Sequence, residues 1–375
     1  MAEQVHNSSL LQAALEHSGI DALIARSGRN VAYLSGMTFP GTLGRLQDFT
    51  YAPRAILAVW PRAGEPALVA SAIAAGLAKQ RSWIEDIRSF QEYVESPYAA
   101  SARIIDEKGL AKGRIGIERR ELGADHWQEL QDALPGAEII DCTDLLEGVR
   151  NIKTPIELQR LKTAIEIQDE AHLYVFSNAR AGDTERDLHA RMVGRMIQNG
   201  ADSAHGMLQA STTPVTYGGE GDVPIQPGVA VRTDYVCYYQ GYAANLSRMA
   251  VMGPPSTGQT ERYADLLAIH RDTIDTMLRP GNTAESVYNF GRERLAAVRS
   301  TAIGGLIGHS VGVWWHQEEP MLVPRETREL RPGMVVCLEP ILDGFWHLQD
   351  EILITDNDPE LLSTMFDTSR LYEMG

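Results

Sequence analysis

The segment GHSVGVWWHQEEP, residues 308–320, sets His309 and His316 seven residues apart, among glycines, two tryptophans, two acids and an amide. Such a segment reads as a metal site, an acid–base site or a packed loop. The partners supplied by the rest of the chain decide among these. Three further segments carry them. VAVRTDYVCYY (229–239) has strand alternation and puts Asp234 on one face with Arg232, Val236 and Tyr238. After a Gly241-Tyr242 turn, AANLSRMAV (243–251) returns, so that Asn245 can lie across the pair from Asp234. GMVVCLEPIL (333–342) ends an apolar run on Glu339, a carboxylate that is costly to bury without a partner. HLQDEILIT (347–355) puts Gln349 and Glu351 on one strand face and Asp350 on the other.

The remaining chain supports a soluble two-domain enzyme. Its 375 residues suit two domains. Hydrophobic residues make up 44% and charged residues 22%, and the net charge of −16 speaks against nucleic acid or an anionic membrane as partner. The N-terminal stretch lacks the basic and apolar regions of a secretory signal, and no apolar run is long enough to span a bilayer. Cys142, Cys237 and Cys337 are dispersed and odd in number, which fits reduced thiols and a cytoplasmic location. In residues 1–150, ALIAR, RAILAVW, EPALVAS and RIGIE read as strands among helices such as SLLQAALEHSG and DHWQELQDAL, an α/β domain. A long helix opens at Thr154, with Pro155 in its first turn and Glu157 completing a capping box. The domain boundary therefore falls near 150. Residues 151–375 interleave helices (154–178, 184–199, 258–278, 283–298) with strands (229–239, 244–252, 334–341, 347–355), an α+β pattern.

Taken in order, Asp234, Asn245, His309, His316, Glu339 and Gln349 resemble the site of the creatinase/prolidase/methionine-aminopeptidase family, whose catalytic domain has the pita-bread fold. Its metal-binding members carry two aspartates eleven residues apart, and Asp234 and Asn245 have that spacing. The family's GHGIG-…-HE is similar to His309 and His316 in GHSVGVWWHQ, its Glu-Pro to Glu339-Pro340, and its Glu-Asp before an apolar strand to Gln349-Asp350. NVAYLSG (30–36) and KTPIELQRLKTA (153–164) extend the resemblance over nearly the whole chain. It implies an α/β creatinase-like N-terminal domain (1–150) followed by an α+β pita-bread catalytic domain (151–375).

The departures shape the expected chemistry. Of five ligands in the family's two-metal site, Asp234, His309 and Glu339 remain, while both bridging carboxylates are amides, Asn245 and Gln349. The family's Pro-His pair has no counterpart in STTPVTYGGEGDVPIQPG (211–228). Two divalent ions ~4 Å apart repel by roughly 16 kcal/mol at an effective dielectric of ~20. Two carboxylates offset less of that than four. No cofactor is therefore expected, and a single divalent ion on Asp234, His309 and Glu339 is the metal arrangement that remains. The leading expectation is a metal-independent acid–base hydrolase or lyase of a small polar substrate, cleaving a C–N bond as creatinase does. His309 or His316 would serve as base, Glu339 as acid or orienting group, and Asp234 would hold a cationic group. Asn245, Gln349, Tyr238 and Glu351 are candidates for substrate binding, as is Arg45, whose TLGRLQ context resembles a creatinase segment that contacts a substrate carboxylate. One alternative is a metal-dependent Xaa-Pro dipeptidase or aminopeptidase, or a dimethylsulfoniopropionate-type lyase, with the amides ligating through oxygen or Glu351 replacing a lost carboxylate. Another is a catalytically inactive binding module. The resemblance also implies a homodimer.

Overall fold

The protein is described by a computed structural model covering residues 3–39, 41–49, 53–213, 218–301 and 305–375. The chain divides into two compact units, Met1–Arg150 and Asn151–Gly375.

In the first unit the described residues form a six-stranded mixed sheet. Its strands are β1 (Ala22–Ala25), β2 (Leu57–Pro61), β3 (Ala67–Ser71), β4 (Asp86–Phe90), β5 (Arg114–Ile117) and β6 (Glu138–Asp141), in the spatial order β4-β3-β2-β1-β5-β6. The four strands expected from apolar runs are present. β4 and β6, with burial patterns that are half exposed, were not legible as strands because their charged residues hide the alternation. Apolar residues of the sheet pack with Tyr98, Ile104 and Ile105 from the helix Pro97–Glu107. Arg45 is exposed in the short helix Gly41–Asp48 of this unit.

The second unit opens with the helix Pro155–Asn178, whose Thr154–Glu157 capping box forms as expected. Helices Glu185–Gln198, Thr257–Met277 and Ala284–Ala297 follow the 3.6-residue pattern read from sequence. Two sheets carry the site. One holds β7 (Ser203–Ala210), β8 (Ala230–Tyr239), β9 (Tyr242–Leu246), β10 (Met249–Met252) and β18 (Tyr372–Met374). The other holds β11 (Gly308–Ser310), β12 (Glu318–Met321), β13 (Val335–Leu338), β16 (Asp350–Leu353) and β17 (Glu360–Leu361). A small ribbon, β14 (Ile341–Leu342) with β15 (Trp346–His347), lies between β13 and β16 in the chain.

The sequence reads 244–252 as one strand, and the structure corrects this. The run is interrupted at Ser247-Arg248: β9 pairs with the C-terminal half of β8 and β10 with its N-terminal half in one continuous register, while on its other edge β10 pairs with β18. Ser247 pairs across to Gln349 of the other sheet. The break is held by Arg248, which is fully buried and ion-paired with Asp169 and Asp350 at 2.8 and 2.9 Å. This crossing brings Asn245 and Gln349 together.

Candidate active site

A cavity of about 470 Å³ opens where the two sheets meet. Asp234 enters from β8, Asn245 from β9, Glu339 from the end of β13, His316 and Gln317 from the loop between β11 and β12, and His205 from β7. His309 of β11 and Gln349, just before β16, lie fully buried beside them.

The two amides link the two carboxylates. Asn245 Nδ2 donates to the Tyr235 carbonyl at 3.0 Å and to Asp234 Oδ1 at 3.3 Å. A carbonyl oxygen can only accept, so this contact fixes which way the amide faces. Asn245 Oδ1 therefore accepts from Gln349 Nε2 at 2.9 Å, and Gln349 Nε2 also reaches Glu339 Oε2 at 3.3 Å. The run reads Asp234, Asn245, Gln349, Glu339, with N–H groups facing both carboxylates. Asn245 is further fixed through its backbone. Its N–H donates to Glu351 Oε1 at 2.8 Å, and its carbonyl accepts from the Cys337 thiol at 3.1 Å.

This donor set does not fit two divalent ions. A cation between Asp234 and Glu339 would meet amide hydrogens, and turning Asn245 over would press Oδ1 against the Tyr235 carbonyl. Among the described residues no group of three or more His, Cys, Asp or Glu side chains is arranged to hold a metal ion. Glu351 does not replace a lost carboxylate, because its side chain is buried and turned to the Asn245 backbone. Burial pushes its carboxyl up to about 8.

The acid–base groups are close. His309 Nδ1 lies 2.9 Å from the Ser310 carbonyl and so carries the ring proton, leaving Nε2 as an acceptor. Nε2 stands 3.5 Å from Glu339 Oε1, and neither atom has a hydrogen-bond partner among the described residues. Burial raises the Glu339 carboxyl to about 7, against the pull of His309 and with a push from Asp234. His316 sits with its ring 5.9 Å from that of His309, and burial lowers it to about 3.

Two histidines of the site were missed in the sequence. His205 lines the cavity, its ring 5.9 Å from His316 and stacked 6.0 Å from Tyr238. Its strand, SAHGMLQA, has too few β-branched residues to announce itself. His347 is buried in β15 with Nε2 3.7 Å from Glu339 Oε2, and burial lowers it to about 4. Its spacing from Glu339 gave no signal before the β14–β15 ribbon folded back. Tyr238, expected to touch substrate, is not among the described residues lining the cavity; it is buried and packs on His205. In the stretch where the Pro-His pair has no counterpart, residues 214–217 lie outside the described residues.

Fold and site together define a hydrolase of the pita-bread class, with a creatinase-type N-terminal domain. The chain belongs to metallopeptidase family M24, whose model matches residues 159–357, and the creatinase/prolidase N-terminal domain model matches residues 9–152. The uncharacterized peptidase YqhT of Bacillus subtilis is 26% identical over 90% of this chain and 92% of its own length. An Xaa-Pro dipeptidase of Pyrococcus horikoshii is 28% identical over 66% of this chain and 72% of its own, and a creatinase of a Bacillus species 25% over 96% and 90%. The solved structure of an Xaa-Pro dipeptidase from Bacillus anthracis superposes with a TM-score of 0.80 at 22% identity, covering 98% of each chain. Among the described residues, no helix is long and apolar enough to cross a membrane.

Proposed function

We propose that the protein hydrolyses a C–N bond in a small polar substrate by acid–base catalysis that does not pass through a two-metal centre. The observation that carries this reading is the Asp234–Asn245–Gln349–Glu339 hydrogen-bonded run, which fills with amide groups the position where the family's bridging carboxylates would stand. His309 Nε2 takes a proton from water as its oxygen adds to the amide or amidine carbon. The Glu339 carboxyl protonates the leaving nitrogen, and the C–N bond breaks. The proton on His309 then returns to Glu339 across their 3.5 Å separation, which restores both groups. Asp234, oriented by Asn245, faces the positive charge of the substrate. His316 and His205 shape the wall, and the enzyme works as a cytoplasmic homodimer.

A second reading is favoured by one observation, the match to a dipeptidase named for Xaa-Pro cleavage. In that case Asp234, His309 and Glu339 would be the donors for a single ion. The test is a hydrolysis panel of Xaa-Pro dipeptides and small ureido, amidine and guanidine compounds, run with and without chelator after purification without added metal. The first reading predicts turnover of a small C–N substrate that survives chelator, and at least a hundredfold loss in His309→Ala and Glu339→Gln. Xaa-Pro cleavage that chelator abolishes and manganese restores would establish the second instead.

A further inference from the structure

The cavity's walls hold three carboxylates, Asp234, Glu339 and Glu220, and no lysine or arginine among the described lining residues. Two of the carboxylates belong to the reacting end described above. Glu220 does not. It sits in a left-handed backbone conformation, φ 60°, which a non-glycine residue seldom adopts. The conformation is imposed from both sides. Gly219, before it, runs so close to β7 that a Cβ there would fall 2.2 Å from the Leu208 carbonyl. Gly221, after it, donates its N–H to Glu185 Oε2 at 3.1 Å. The same buried Glu185 also accepts from the Ala210 N–H at 2.8 Å and from the Thr213 hydroxyl, so one carboxylate clamps both ends of the loop. The side chain of Glu220 is 40% exposed and faces the cavity. His189 Nδ1 lies 3.7 Å from its Oε1 but is bonded at 2.8 Å to the Tyr235 hydroxyl.

A second feature of the same cavity points to a ligand. Glu339, only 8% exposed, lines the cavity with an Oε1 that has no hydrogen-bond partner. The cavity thus offers a buried carboxyl oxygen without a hydrogen-bond partner at its reacting end and a clamped carboxylate on another wall, with no cation among the described lining residues to receive an acid.

We infer that the substrate is a small molecule cationic at both ends, an amine-bearing amidine or guanidine, and that Glu220 is the specificity residue that receives its second positive charge. A guanidino acid, carrying a carboxylate in place of the amine, would face Glu220 with like charge and nothing among these walls to pair with. This rests on the proposed function only for the identity of the reacting end, and binding can be measured without turnover or metal.

The test is calorimetric titration of the full chain in chelator at pH 7.5 with three probes of matched length: 4-guanidinobutan-1-amine, 1-butylguanidine and 4-guanidinobutanoate. The diamine-like probe should bind at least tenfold more tightly than the acid. Glu220→Gln should weaken it about five- to tenfold and leave butylguanidine unchanged, as expected for a half-exposed charge-assisted contact. Glu220→Lys, which keeps a long side chain at the same backbone position, should reverse the preference toward the acid. Equal binding of acid and amine, an equal effect of Glu220→Gln on amine and butylguanidine, or no binding of any probe would overturn the inference. A chelator-sensitive activity on some other substrate would instead count against the proposed reaction and leave these binding results standing.

Discussion

Asn245 and Gln349 each differ from the acidic family residue by one atom type, and that difference changes what the site can hold. An ionised carboxylate only accepts, whereas an amide accepts through one oxygen and donates through two hydrogens. Here both amides donate toward Asp234 and Glu339, so the carboxylates face hydrogens where ions would stand. Behind them, Glu351 holds the Asn245 N–H and is itself raised to about 8 by burial. Its folded value lies above its unfolded one, near 4.3. The folded state therefore keeps a proton that the unfolded chain releases, and this contribution to stability is full below about pH 4 and lost as pH rises toward 8. Glu351→Gln reproduces the protonated shape and keeps the acceptor for Asn245. The variant should melt at a higher temperature than wild type at pH 8.5 and show little difference at pH 5. A constant difference at both values, measured by calorimetry, would mean that the Glu351 proton is not coupled to folding.

The elements show why some of this was legible and some was not. Helices with clear caps and an apolar stripe, above all Thr154–Asn178, could be read directly, since Thr154, Pro155 and Glu157 specify a start by chemistry. Asp234, Asn245, His309, Glu339 and Gln349 were legible because their order and spacing follow a motif, and the structure brings all five together. His205 and His347 were not, because proximity across sheets leaves no periodic trace in the chain. The break in the strand at Ser247-Arg248 was hidden for the same reason: AANLSRMAV keeps an apolar strand pattern straight through it. What marks the break is a buried charge. Arg248 satisfies Asp169 and Asp350 and also donates to the Gln349 carbonyl at 2.7 Å. Removing one member of a buried ion group leaves the others uncompensated, at about 3–5 kcal/mol. Arg248→Met should therefore lower unfolding free energy by that amount in urea titration, and should also loosen Gln349. A loss under 1 kcal/mol would show that the two aspartates find other partners or protonate without cost.

For the molecule as a whole, the net charge of −16 and the cavity's carboxylates have the same sign, which disfavours anionic ligands at long range as well as in the cavity. The proposed homodimer is checked by sedimentation at micromolar concentration, where a species of twice 41.3 kDa is expected and a lone monomer would refute it. Membership of a metallopeptidase family and the proposed absence of the family's metal pair from this site are compatible, because a fold carries chemistry only through the side chains placed on it. The direct measurement of that claim is calorimetric titration of manganese into wild type and into the double variant Asn245→Asp, Gln349→Glu. The expected result is no tight binding to wild type, and binding of up to two ions per chain once the four-carboxylate set is restored. Tight binding of two ions by the wild-type protein would contradict it.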